Sequence, residues 1–135
     1  MMIKTEYPPN IKDIENRFGS IGKNVVFTYG DIIYNPSGNF IDAYLISHEE
    51  THTKQQGSDI EGWWKKYLND DKFRLEQEAE AYHNQYEHFC RNKKDLLRQE
   101  EFLSFIAKDL SGDMYGNICN LEEAKKLIKN EKENN

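Results

Sequence analysis

The sequence predicts an α+β domain dominated by helices, with a small β-sheet or hairpin lying beside one of them. Three observations predict it. Val25-Val26-Phe27-Thr28-Tyr29 and Ile32-Ile33-Tyr34 are β-branched and aromatic runs separated by Gly30-Asp31, the composition of two short strands around a turn. From Ile41 onwards apolar residues recur at spacings of three and four in stretches longer than strands. The chain has 135 residues, 37% of them hydrophobic and 13% aromatic, which is enough for one domain with a small, aromatic-rich core. A single domain over 1–135 is expected, with polar tails at about 1–10 and 130–135.

Residues 1–10 end in Tyr7-Pro8-Pro9-Asn10, and the prolines favour an extended lead-in over helix or ladder pairing. Ile11, Ile14 and Phe18 have the spacing of a short amphipathic helix, which Gly19 to Gly22 breaks. The two strand candidates follow, with their register open, and Asn35-Pro36-Ser37-Gly38 closes them with turn chemistry. A helix is predicted over Ile41 to Gln56, capped by Ser37 or Asn39 and stopped at Gly57. Trp63, Trp64, Tyr67 and Leu68 mark a short helix, followed by a loop at Asn69-Asp70-Asp71. A long helix runs from Phe73 to Phe89 and on toward Cys90–Lys94, and another spans Glu100 to Leu110. Asn120 caps a last helix that ends near Ile128, with Glu123 in the capping-box position. Residues 131–135 read as a frayed tail.

Net charge is −6, from 18 basic and 24 acidic side chains. That balance argues against nucleic acid as a partner, because phosphate contacts need a basic face. Arg91 to Lys94 is the one short basic run. Cys90 and Cys119 form no C-x-x-C pair, so reduced thiols are the simpler reading. No apolar run approaches the roughly 20 residues a membrane span needs, and the first ten residues carry no apolar targeting segment. A cytoplasmic protein without a membrane partner is expected.

The stretch that organises this chain is His48-Glu49-Glu50-Thr51-His52, an H-E-x-x-H. Residues four apart share a helix face, so two imidazoles would meet at one point and could share a tetrahedral zinc ion. Glu49 would reach a water on the open side of the metal as general base. A third ligand has to come from elsewhere, and the candidates are Glu76, Glu78 and Glu80. Steps of two residues turn about 200° on a helix, so one of them, or Glu76 with Glu80, can face the metal.

The motif and its surroundings resemble the gluzincin-type zinc metallopeptidases. More closely, His48 to Gln56, Trp63-Trp64, Phe73-Arg74 and Glu78-Ala79-Glu80-Ala81-Tyr82 look like small zincin-like metallopeptidases often encoded by bacteriophages. The resemblance covers about residues 25–120 and implies a minimal zincin fold. It also implies Zn²⁺ held by His48, His52 and a glutamate three residues before an alanine. Glu78 before Ala81 is the preferred register, and Glu76 before Ala79 the runner-up. Tyr82 would stand one turn on, beside the reacting oxygen, where relatives often carry an acid. The implied activity is peptide-bond hydrolysis by a water that Glu49 activates. The peptide or protein substrate would pair along Ile32–Tyr34 as an edge strand.

Two rivals stand beside this reading. One is a non-catalytic zinc protein, structural or regulatory, that keeps the fold. The other is a metal-free interaction module in which the histidines pair with glutamates. For the remaining residues plainer roles are expected. His83 and His88 are partly exposed helix residues, Trp63, Trp64 and Tyr67 are core, with the wall of a substrate pocket as their alternative, and Arg74 pairs with Glu78 at i+4.

Overall fold

The computed structural model describes residues 2–130, and the tail expected over 131–135 lies outside the described residues. The architecture is helix-dominated α+β, with three short strands and six α-helices among those residues. Strand β1 (Met2–Lys4) leads into helix α1 (Ile11–Phe18), and β2 (Phe27–Tyr29) and β3 (Ile32–Tyr34) form the hairpin. Helices α2 (Ala43–Gln56), α3 (Ile60–Asn69), α4 (Asp71–Asn92) and α5 (Leu96–Leu110) follow. A 3₁₀ turn at Asp113–Tyr115 then leads to α6 (Leu121–Lys129).

The hairpin forms around the expected turn, with its first strand starting at Phe27 and not at Val25. β2 and β3 pair antiparallel with Tyr29 opposite Ile32, and Gly30 takes the turn with φ of +67°, a region open to glycine at little cost. The N-terminal segment departs from its expected role as a polar lead-in. Met2 to Lys4 pairs parallel with β3, so the sheet order is β1-β3-β2. Strand β3 is therefore the inner strand. The edge role expected of Ile32–Tyr34 is corrected: both its ladders are occupied, and an extended peptide has no free edge there.

Helix α2 starts two residues later than expected because Asp42, not Ser37 or Asn39, accepts the Leu45 N–H and caps it. Ser37 instead bonds Asn35 and the Asn39 N–H within the preceding turn. Asp95 caps α5 four residues ahead of its expected start. The Asn120–Glu123 capping box is present in both directions.

Helix α4 is the spine, packing on α2, α3, α5 and α6. Leu103, Ile106, Ala107 and Leu110 of α5 meet Ala124 and Ile128 of α6 in a fully buried aliphatic layer. On the other side Trp63 stacks on Tyr67 with centroids 4.9 Å apart and takes Trp64 edge-on at 5.2 Å, so the expected aromatic core forms here. Arg74 is completely buried. Its guanidinium donates to Tyr67 O at 2.6 Å, to Tyr115 O at 3.0 Å and to Asp71. The expected Arg74–Glu78 pair is thus replaced by these partners on α3, the 3₁₀ turn and the first turn of α4. No helix of the described residues is long and apolar enough to cross a membrane.

Candidate metal centre

The buried face of α2 consists of His48, Glu49, Thr51, His52 and Gln56. Five inward polar side chains on one helix are costly unless each finds a partner, and each does. Thr51 donates to Ser47 O and accepts from Asn84. Gln56 clamps β2, donating to Thr28 O at 2.8 Å and accepting from Gly30 N–H at 2.7 Å. Trp64 donates to the same Thr28 carbonyl at 3.2 Å. The outer edge of β2 is therefore occupied at this point, and the hairpin is fixed to α2 with Thr28 facing Glu49.

His48 and His52 converge as the four-residue spacing predicts, and α4 supplies the third group. Glu78 Oε1 lies 3.1 Å from His48 Nε2 and 3.2 Å from His52 Nε2, and the two nitrogens are 3.2 Å apart. Tetrahedral zinc with ligands at 2.0–2.1 Å would space its donor atoms about 3.3–3.4 Å apart. These three buried residues lie close enough to hold one metal ion. Glu76 and Glu80 are exposed on α4 and belong to no such group among the described residues.

The donor chemistry tests the fit independently of the distances. Gln55 donates its amide to Gln77 O and to Glu80, both at 2.9 Å, which turns its carbonyl oxygen toward His52 Nδ1 at 2.8 Å. An amide oxygen only accepts, so Nδ1 carries the proton and Nε2 is left with a lone pair. Gln85 Oε1 does the same for His48 Nδ1 at 3.0 Å. Two lone pairs and a carboxylate oxygen, all acceptors, thus face one point. Without a cation between them they repel, which is the signature of a ligand set oriented by outer hydrogen bonds.

Electrostatics agree. Burial opposes charge on His52, but the adjacent Glu78 carboxylate outweighs it and pushes the imidazole up to about 9. Burial would raise Glu78, yet His52 and the hydrogen bonds from both histidines hold its carboxyl well below the usual range. Metal-free, the three atoms therefore retain a proton in the place of an ion.

Glu49 sits beside this triad, its Oε2 3.7 Å from His48 Nε2 and its Oε1 accepting from Thr28 Oγ1 at 2.9 Å. Burial raises its carboxyl above the ordinary value, and the two imidazoles and the Thr28 bond only partly offset that. Tyr82 packs its ring edge-on against His48 at 4.3 Å, while its hydroxyl pairs with that of Tyr115 at 2.8 Å. Burial raises both phenols well above their usual range. His83 bonds the Ile128 carbonyl and His88 packs on Tyr44, both away from the centre.

His48, Glu49, His52, Glu78, Tyr82 and Tyr115 line one cavity of about 220 Å³. Its floor is the triad with Glu49, Tyr82 and Tyr115, and its apolar walls include Ile14, Phe18, Ile21, Val25 and Met114. Sequence reasoning missed Thr28, Tyr67, Gln85 and Tyr115. Gln85 had a signal, since it lies two helical turns from Glu78. The other three arrive from separate elements and had none.

Comparison with models of protein families, with curated proteins and with solved structures finds no match for this chain.

Proposed function

We propose that this protein is a zinc-dependent peptidase whose general base is Glu49. The observation that carries the reading is the convergence of His48 Nε2, His52 Nε2 and Glu78 Oε1 at 3.1–3.2 Å with the Glu49 carboxylate alongside. Two imidazoles and one carboxylate are a donor set that zinc takes in hydrolases, with one position left open. A zinc ion there would supply Lewis-acid polarisation of a substrate carbonyl and bring the pKa of water toward about 7.

The remaining steps fall to the chain. Glu49 takes the proton of the attacking water and passes it to the leaving amine. Its burial suits that task, because it raises the carboxyl above its ordinary value against the opposing effect of the two imidazoles and so strengthens it as a base. Thr28 occupies Oε1 and leaves Oε2 for the proton. Of the two phenol protons of Tyr82 and Tyr115, one lies between the hydroxyls, and the other is available to a substrate oxygen. The role expected of Tyr82 is thereby shared with Tyr115. Residues 24–26, ahead of β2, line the same cavity, and a peptide would lie beside them. The resemblance to small phage-encoded zincin-like peptidases supports the same reading, and a cytoplasmic setting is proposed with it.

One observation favours a second reading, a non-catalytic metal-binding module. His48, Glu49, His52 and Glu78 are only 3–5% exposed, as in sites closed to substrate. Elemental analysis and cleavage of a quenched-fluorescence peptide library separate the readings on wild type and Glu49→Gln. About one zinc in both proteins, with cleavage only in wild type, is the expected result. Zinc in both without cleavage in either selects the second reading. A folded wild type that takes up no zinc leaves only the metal-free interaction module.

A further inference from the structure

We propose that Tyr67 is the positioning residue that keeps Glu78 a one-oxygen ligand and so keeps the metal's remaining position open. The inference rests on the metal-site reading above. Tyr67 comes from α3, which contributes no ligand, and its hydroxyl donates to Glu78 Oε2 at 2.6 Å. The other oxygen, Oε1, is the one that faces both histidines. The two oxygens of one buried carboxylate are thus given separate tasks.

The tyrosine is built to hold that bond. Its ring is buried and stacked on Trp63 at 4.9 Å. Its own carbonyl accepts from Arg74 at 2.6 Å, which fixes the backbone that carries it. A phenol hydroxyl facing a carboxylate oxygen at this distance is the donor of the pair. A carboxylate next to a divalent cation can bind through one oxygen or both. A short hydrogen bond on the second oxygen opposes the two-oxygen mode, because the phenol proton and the cation compete for the same lone pairs. With Oε2 released, Glu78 can supply two donors and fill the position that a water needs.

The test replaces the metal with cobalt(II), whose visible absorption is much stronger in four-coordinate than in five- or six-coordinate sites. Metal-stripped wild type and Tyr67→Phe are titrated with CoCl₂, and absorption is read per bound cobalt. The phenylalanine retains the ring that stacks on Trp63. Wild type is expected to show the strong four-coordinate bands, and Tyr67→Phe bands weaker by severalfold. Equal absorption per bound cobalt in the two proteins, with only weaker binding in the variant, would mean that Tyr67 merely packs, and overturns the proposal. X-ray absorption on zinc-loaded wild type decides the matter without any variant: a Glu78 bound through both oxygens overturns it too. A wild type that binds neither metal removes the metal reading itself, and this proposal falls with it.

Discussion

The guanidinium of Arg74 donates at 2.6 Å to the carbonyl of Tyr67, the residue whose hydroxyl holds Glu78. Arg74 also donates to the carbonyl of Tyr115, whose hydroxyl meets that of Tyr82. One buried cation therefore anchors the backbone of both phenols that reach the site from outside α2 and α4. Replacing it with methionine keeps much of the volume and leaves two buried carbonyls without a donor. Arg74→Met is expected to destabilise the metal-free protein by about 3 kcal/mol or more, read as a lower midpoint in urea denaturation. Its zinc affinity should fall as well.

The ligand set gives a second prediction. His48→Ala, His52→Ala and Glu78→Ala should each lose the zinc that elemental mass spectrometry finds in wild type. Glu76→Ala should retain it, since Glu76 is exposed on the opposite side of α4 from Oε1 of Glu78. Zinc lost from Glu76→Ala but retained by Glu78→Ala would assign the third ligand to the other register.

Glu49→Gln should keep the metal and lose the chemistry. The glutamine preserves size and can still accept from Thr28, but it takes no proton. A fall in kcat of about 10²–10⁴-fold is expected, with zinc content unchanged.

The fourth prediction concerns pH. His52 has an ordinary value of 6.5 that the metal-free fold pushes up to about 9. A raised value means that the folded state binds the proton more tightly than the unfolded state. Its stabilisation is complete below about 6.5 and is lost as pH rises toward about 9. Glu78 runs the other way: its lowered value gives stability above about 4.5 that disappears as pH falls. Metal-free protein should therefore be most stable in mildly acidic solution. Zinc has to displace the shared proton, so its apparent affinity should climb with pH up to about 9. Thermal unfolding in chelator and zinc competition titrations at several pH values measure the two effects.

Thr28 offers a fifth. Its hydroxyl bond to Glu49 lowers the carboxyl against the effect of burial. Thr28→Val removes that bond with little change in volume, so Glu49 should protonate at higher pH. The acid limb of the kcat profile should move upward, with zinc content unchanged.

Much of the fold was legible along the chain because it is written in local periodicity. The hairpin, the Gly57 stop and the Asn120–Glu123 capping box depend on neighbours within about four residues, and all are present, the hairpin over Phe27–Tyr34 without Val25 and Val26. Boundaries that hang on one capping side chain were less legible: Asp42 and Asp95 moved the starts of α2 and α5. The parallel pairing of Met2–Lys4 with β3 joins segments about 30 residues apart, and no local pattern encodes it. That single pairing turned Ile32–Tyr34 from an edge strand into an inner one.

By itself the sequence determined that His48, Glu49 and His52 share a helix, because four residues make about one turn. It also narrowed the third acidic group to one helix, since Glu76, Glu78 and Glu80 are close in the chain. The resemblance preferred Glu78, but only the tertiary structure brought its Oε1 to both histidines and gave Arg74 the carbonyls of Tyr67 and Tyr115 instead of Glu78. Only the tertiary structure brought Thr28 to Glu49, Tyr67 to Glu78 and Tyr115 to Tyr82. Those contacts join different elements, and a buried polar side chain takes whichever partner the packed neighbour presents.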